Sequence, residues 1–147
     1  MGVSLLIALL QTALFIGVAM TPPFGLQLTA QSWMIIPLVV AGTLAFMSIG
    51  TLVGSLVKTE EAASGAVNIV VLPMAFLSGA FFDPAILPAW LDKLTWVLPM
   101  KHMSAGVLDV LVRKGQLGSA AIHFVVIMVF ALVLGLLAAR LFNWEDA

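Results

Sequence analysis

Four long runs of apolar residues, almost free of charge, constrain this chain more than any other feature. The runs cover residues 3–20, 34–57, 62–82 and 119–141. A helix rises about 1.5 Å per residue, so roughly 20 residues cross the hydrocarbon core of a bilayer, which is about 30 Å thick. Each run is therefore predicted to be a transmembrane helix.

Composition supports a lipid environment. Hydrophobic residues make up 63% of the 147 and charged residues only 9%, whereas a soluble domain needs about 25% charged residues to face water. The net charge of −1 provides no basic surface for a nucleic-acid partner. The lack of cysteine excludes disulfides and thiolate metal sites. We expect an all-α, integral membrane helical bundle with membrane lipid as its main partner.

Two short segments separate the first three runs. Residues 21–25 read TPPFG, and tandem prolines followed by glycine end a helix. Residues 58–61 read KTEE, and such a charged stretch is expected to face water.

The segment at about 84–114 is too apolar for an ordinary loop, yet its prolines deny it one continuous helix. Pro88 and Pro99 can each begin a short helix. Apolar residues recur at three-and-four spacing after both prolines, which is typical of amphipathic helices. The segment is predicted to be a re-entrant amphipathic helical hairpin at the membrane interface.

Small residues at four-residue spacing allow membrane helices to approach closely. The second run contains Gly50 and Gly54, and the last run contains Ala131, Gly135 and Ala139. These positions are predicted to be helix-packing faces of the bundle.

Three motifs around the hairpin resemble the membrane permeases of type-2 ATP-binding cassette (ABC) exporters. Residues 72–82 read LPMAFLSGAFF, residues 87–91 read LPAWL, and residues 98–102 read LPMKH. Their order and spacing match the family's pattern. Residues 108–113, LDVLVR, are similar to the next segment of permeases in the drug-resistance branch.

The resemblance implies a multi-pass permease of the plasma membrane that moves an amphipathic drug, lipid or glycan. It implies two partners, a cytoplasmic ATP-binding subunit and a second permease copy or paralogue. The family has six spans after an amphipathic helix, so residues 1–147 are expected to be one transmembrane permease domain equivalent to the last four spans. The chain is then either the C-terminal portion of a longer subunit or half of a split one.

Several polar residues are candidates for the transport pathway or an outer gate: Asn68, Ser78, Asp109 and Arg113. Three of them have a simpler structural reading. Asn68 can bond between helices, and Asp109 and Arg113 can form an ordinary i, i+4 ion pair. His123 can act as a proton relay or bond to a backbone carbonyl. No catalytic, cofactor-binding or metal-binding residues are expected.

The membrane orientation has two readings. Four spans place Lys58 and Arg140 on one side and the lysine and arginine residues of the hairpin on the other, so counting positive charges makes the hairpin side cytoplasmic. The resemblance implies an external hairpin, and that orientation is the expected one. A cysteine at Gln116, probed with an impermeant thiol reagent, distinguishes the two.

Three other functions fit a small helical membrane protein. A non-transporting scaffold or accessory protein needs no further motif. A small proton-coupled drug antiporter requires a carboxylate at membrane depth, and the four runs contain none. An intramembrane serine protease would pair Ser78 with His123, but Phe76 stands where such enzymes place glycine. No HExxH, GxSxG or Walker A pattern occurs, which argues against an enzyme.

Overall fold

The computed structural model describes residues 2–79, 88–113 and 117–141, and these ranges contain no strand. Four of their helices are long and apolar enough to cross a membrane, which confirms the predicted all-helical, four-span class. In chain order the helices are α1 (Gly2–Ala19), α2 (Ile35–Leu56), α3 (Glu60–Leu77), α4 (Ala89–Thr95), α5 (Pro99–Leu111) and α6 (Leu117–Leu141), with a 3-10 turn (Ser32–Met34) leading into α2.

The chain reverses after α1 through a glycine turn. The amide of Gly25 donates to the carbonyl of Thr21, and the amide of Leu26 donates to that of Ala19, both at 3.0 Å. Gly25 has a φ of 63°, a left-handed conformation that glycine adopts without a steric penalty. The predicted break after the first span is therefore a closed turn.

The charged turn between α2 and α3 is shorter than predicted. The Thr59 hydroxyl accepts a 3.2 Å hydrogen bond from the amide of Ala62, and Glu60 and Glu61 form the first turn of α3. Acidic side chains are favourable there because the helix dipole is positive at its N-terminus. α3 ends at Leu77, before the predicted limit at residue 82; residues 80–82 lie outside the described residues.

The hairpin consists of α4 and α5, joined by residues 96–98. Pro99 is the first residue of α5, as predicted for a proline that starts a helix. Pro88 instead precedes α4 in an extended conformation, with φ −57° and ψ 143°. Residues 84–87 and 114 of the predicted hairpin lie outside the described residues.

The core lies where α2, α5 and α6 meet. α2 packs along the length of α6, and α5 packs against both helices. The core is made of small and branched apolar side chains, which let the three backbones approach one another: Leu38, Ala41, Ala45, Val110, Ala120, Ile127 and Ala131.

Two glycines make the contact between α5 and the bundle close. A Cβ atom added to Gly42 of α2 would lie 2.5 Å from the sulfur of Met103. One added to Gly106 of α5 would lie 3.1 Å from a methyl group of Leu38 and 3.3 Å from the Cβ of His123. A side chain at Gly106 would therefore press on Leu38 and His123, whereas one at Gly42 would have to displace only the flexible end of Met103.

The two predicted small-residue faces differ in their surroundings. Ala131 and Gly135 of α6 lie against α2, where the Ser48 hydroxyl donates a 3.1 Å hydrogen bond to the Ala131 carbonyl. A Cβ atom on Gly135 would lie 3.5 Å from that hydroxyl oxygen, whereas one on Gly50 or Gly54 would meet nothing within 4 Å. No described residue would touch a side chain at Gly50 or Gly54, so close helix packing at these two glycines stays a prediction.

The buried face of α6 continues through Ala138, which is 2% exposed, whereas Ala139 is exposed. A helix turns once every 3.6 residues, so residues spaced four apart gradually leave one face of the helix. A step of three residues, from Gly135 to Ala138, returns to that face.

The α1 helix makes little contact with the rest of the bundle. None of its residues is buried, and it packs only against α2 among the principal helix pairs. The outer face of α6 is similarly uncovered, with Leu132 and Leu136 58% and 66% exposed. Apolar surfaces of this kind are solvated by lipid tails in a bilayer.

Candidate functional site at the hairpin

The hairpin is held together by a lysine that lies between its two helices with its side chain 15% exposed. The ammonium group of Lys101 lies 2.5 Å from the carboxylate of Asp92 and 2.6 Å from the hydroxyl of Thr95. It also lies 5.5 Å from the ring centroid of Trp96, within the range of a cation–π contact. These contacts fix the start of α5 against α4.

A second set of contacts joins the hairpin to the last span. His102 of α5 is 2% exposed. Its Nε2 lies 2.6 Å from the carbonyl oxygen of Trp96, and its Nδ1 lies 2.9 Å from the Nδ1 of His123 on α6. The two imidazole rings therefore connect the turn of the hairpin to α6.

An acidic residue completes this set. Oδ2 of Asp109 lies 3.5 Å from Nε2 of His123, and Oδ1 accepts a 3.2 Å hydrogen bond from Arg113. The Asp109 and His123 side chains are 13% and 15% exposed, whereas Arg113 is 67% exposed. We name His102, His123 and Asp109 the histidine cluster.

The histidine cluster forms because its α5 residues lie on one helix face and because a glycine between them lets α6 come close. His102, Gly106 and Asp109 follow one another at intervals of four and three residues, which places them along one face of α5. Gly106 is in the middle, and its missing side chain leaves room for His123. α5 therefore approaches α6 closely enough for the rings to hydrogen-bond.

The predicted pathway residues do not form one group. Asp109 and Arg113 pair as expected and join the two histidines. Ser78 is buried at the end of α3, where its hydroxyl donates a 2.7 Å hydrogen bond to the carbonyl of Ala75. Asn68 is exposed on α3, about 15 Å from Ser78 along the helix axis at 1.5 Å per residue.

A separate apolar crevice lies between α1 and α2. Its volume is about 760 Å³, and its lining includes Thr12, Gly17, Trp33 and Val39. None of the predicted pathway residues lines this crevice. It exists because α1 packs so loosely, and none of its described lining residues is charged.

The contacts of the histidine cluster join two helices, α5 and α6. Within the described ranges, no group of three or more histidine, aspartate or glutamate side chains could hold a metal ion. Both ring nitrogens of His123 face other partners, His102 and Asp109. The serine-protease alternative would need one of these nitrogens to activate Ser78.

Four apolar spans and a hairpin tied into the bundle by polar contacts define a polytopic integral membrane protein. More specifically, the chain belongs to the ABC-2 type transporter family, whose sequence profile matches residues 1–112. This match confirms the family suggested by the three motifs around the hairpin. The protein is accordingly a membrane component of that family.

Two relatives show the extent of the similarity. The chain is 33% identical over 61 residues to a probable multidrug ABC transporter permease, YbhR, of Escherichia coli K12, covering 42% of this chain and 17% of the relative. It is 34% identical over 88 residues to Nodulation protein J of Rhizobium meliloti, covering 60% of this chain and 32% of the relative. The chain thus matches less than a third of the length of either relative. No solved structure matches it.

The sequence suggests no role for four residues of the site: His102, Lys101, Asp92 and Thr95. The sequence suggests roles for His123 by itself, as a relay or a carbonyl-bonded residue, because nothing in it pairs two histidines 21 positions apart on different helices. A weak signal exists in the spacing of His102, Gly106 and Asp109, since a glycine between two polar residues on one helix face is typical of a close helix contact.

Proposed function

We propose that this chain supplies part of the membrane passage of an ABC exporter, driven by ATP that a separate cytoplasmic subunit hydrolyses. Membership of the ABC-2 type transporter family carries this proposal. The hairpin folded between the third and last spans supports it, because it has the position that the resemblance implies for an element at the outer mouth. In this proposal the protein acts in the plasma membrane.

The cargo proposed is an amphipathic molecule, a drug, lipid or glycan. The similarity to a probable multidrug permease supports the drug class. The apolar crevice beside α1 supports entry of such a molecule from the bilayer. Asn68 and Ser78 are proposed to border the pathway, and Asp109 and Arg113 to belong to an outer gate.

ATP-dependent transport tests the exporter proposal. The protein is purified with the ATP-binding subunit that accompanies it and placed in lipid vesicles with a fluorescent amphipathic drug. We expect drug movement with ATP, and movement at the rate of protein-free vesicles when the ATP-binding subunit carries an inactivating substitution in its own active site. An assembled complex that hydrolyses ATP without moving any drug, lipid or glycan would favour the scaffold alternative, and movement driven by a pH gradient alone would favour the antiporter.

A second permease copy is proposed to cover the open face at Gly50 and Gly54. Small residues four positions apart form close contacts between membrane helices, and this face has no neighbour within the described residues. We expect Gly54→Leu to weaken self-association about tenfold, which corresponds to losing about 1.4 kcal/mol of packing. The monomer–dimer ratio in detergent, measured by light scattering against protein concentration, gives the result.

Gly65→Leu is the matched control, since Gly65 of α3 also has open space at its Cβ position. It should leave self-association unchanged. Equal effects of the two substitutions, or none from either, would remove the proposed role of the Gly50 and Gly54 face.

A further inference from the structure

The histidine cluster contains three contacts that each need one proton. The carbonyl of Trp96 can only accept, so Nε2 of His102 must carry a hydrogen. The 2.9 Å contact between the two Nδ1 atoms needs one hydrogen between them. Nε2 of His123 faces a carboxylate oxygen of Asp109 at 3.5 Å, and a bare nitrogen there would place a lone pair against a negative charge.

Two neutral imidazole rings supply two hydrogens, because each neutral ring carries one N–H. Three contacts therefore require one proton more than the neutral pair holds. We propose that the histidine cluster is a binding site for one proton, and that this proton holds the hairpin against the last span. The proton lies between Nε2 of His123 and the carboxylate of Asp109.

The charges beside the cluster act on this proton in two directions, because the Asp109 carboxylate attracts a proton on His123 and the Arg113 guanidinium repels it. Arg113 donates to Asp109, which favours the ionised carboxylate and so places the proton on His123. Lys101, the neighbour of His102, is bound by Asp92 and Thr95 on the other side of α5. The remaining helices packed on α5 and α6 contribute no competing charge: α2 contains no titratable residue, and the only ones of α3 are Glu60 and Glu61 in its first turn.

Loss of the proton breaks one of the three contacts. If His123 keeps its hydrogen on Nδ1, its Nε2 lone pair faces the Asp109 carboxylate. If the hydrogen moves to Nε2, two bare Nδ1 atoms face each other. Either arrangement places two electron-rich atoms in contact where little water can separate them, since His102 is 2% exposed. The docking of the hairpin on α6 is then weakened, because one of its three polar contacts is lost.

The sign of the pH dependence follows from proton counting. Above about pH 6.5, the ordinary imidazole pKa, the released rings are neutral and the docked hairpin binds one more proton than the released hairpin; below it both released rings are protonated and the docked hairpin binds one fewer. Docking is therefore favoured as the pH falls toward about 6.5 and disfavoured below it, and the ratio of docked to released states changes by up to about tenfold per pH unit on either side. Imidazole groups titrate in the range from about pH 5 to 8, which is the range to examine.

The test measures two quantities separately in the purified protein in lipid nanodiscs: the protonation of the two rings and the distance between the hairpin and the last span. The chain has two histidines, both in the cluster, so ¹⁵N-histidine spectra report these two rings alone. The chain has no cysteine, so spin labels at Leu94→Cys and Leu136→Cys, two exposed positions on α4 and α6, measure the distance between hairpin and last span. We expect three N–H groups and a short distance at about pH 6.5, two N–H groups with a longer distance at pH 8, and four N–H groups with a longer distance at pH 5.

Asp109→Asn gives the sharpest comparison. An asparagine keeps an oxygen that accepts from Arg113 and places an amide that donates to a bare Nε2 of neutral His123, so no extra proton is needed. Its hairpin should stay docked from pH 8 to about pH 6.5, with two N–H groups over that range. Asp92→Asn makes the same chemical change at the other ion pair of the hairpin and should keep the pH dependence of the unmodified protein.

Two results would overturn the proposal. One is a docked hairpin with both rings neutral over the whole pH range. The other is a label distance that does not follow the ring titration, or that follows it equally in Asp109→Asn. None of these measurements involves transport, so they are independent of the exporter proposal.

Discussion

Replacing Gly106 with leucine is expected to push α5 out of the bundle. A Cβ atom at this position already lies 3.1 Å from a methyl group of Leu38 and 3.3 Å from the Cβ of His123, and leucine adds three more carbon atoms. The Cβ of His123 cannot retreat without moving α6, and the Leu38 methyl groups have little room to move because that side chain is fully buried. Overpacking of this kind costs about 1–3 kcal/mol, and here it also separates His102 from His123. Thermal unfolding in detergent should show the loss of stability.

Gly65→Leu separates the steric effect from the helix propensity of leucine. Glycine is about 1 kcal/mol worse than the best helix formers in a helix interior, so leucine at the open position 65 should leave stability unchanged or raise it. Gly106→Ala should lie in between, because its contacts of 3.1–3.3 Å require shifts of only a few tenths of an ångström. A Gly106→Leu protein as stable as Gly65→Leu would mean that α5 does not pack against α2 and α6 as described.

The positions of the helices could be read from the sequence because they depend on local properties. Run length and the scarcity of charge identify the four spans, and Pro99 begins α5 because proline lacks the amide hydrogen that a first-turn residue does not need. The ends of α3 were less well predicted. Thr59 caps the helix, which draws the two glutamates into it, although their charge alone suggested a loop.

The rotation of each helix about its own axis could not be read in the same way. The Gly50 and Gly54 pattern has the spacing of a packing motif, yet the tight approach occurs at Gly42 and Gly106. The spacing is a property of one helix, whereas the contact depends on which face its neighbour presents. Ala41 and Ala45 are also small residues four positions apart, and they are fully buried. The same spacing of small residues therefore occurs on more than one face of α2.

Only the contacts of the site that lie within one helix could be predicted from the sequence. Asp109 and Arg113 form the expected i, i+4 pair because both belong to one stretch of chain. The link from His102 to His123 crosses between helices, and its existence depends on Gly106 bringing α5 close. The pathway roles proposed for Asn68 and Ser78 depend on cargo and on a second copy, and they stay predictions.

Leu38→Ala is expected to destabilise the protein strongly, by about 2 kcal/mol. Leu38 is fully buried between α2, α5 and α6. In soluble proteins this substitution costs about 2–5 kcal/mol, as the sum of a transfer contribution and a cavity contribution. Lipid tails are as apolar as leucine, so the transfer contribution largely vanishes for a chain that unfolds within the membrane. The cavity contribution persists, which places the expected loss at the lower end of the range.

Leu136→Ala makes the same chemical change on the lipid-facing side of α6, where the side chain is 66% exposed. A lipid tail can occupy the space that the lost side chain leaves, so no cavity forms and stability should change by less than about 0.5 kcal/mol. Unfolding of both variants in the same detergent or bilayer, measured beside the unmodified protein, gives the two differences. Equal losses would show that the two leucines have the same surroundings, and the packing of α5 between α2 and α6 would then have to be wrong. Unequal losses in the expected order would show that filled space between helices, rather than removal of apolar surface from water, stabilises this bundle.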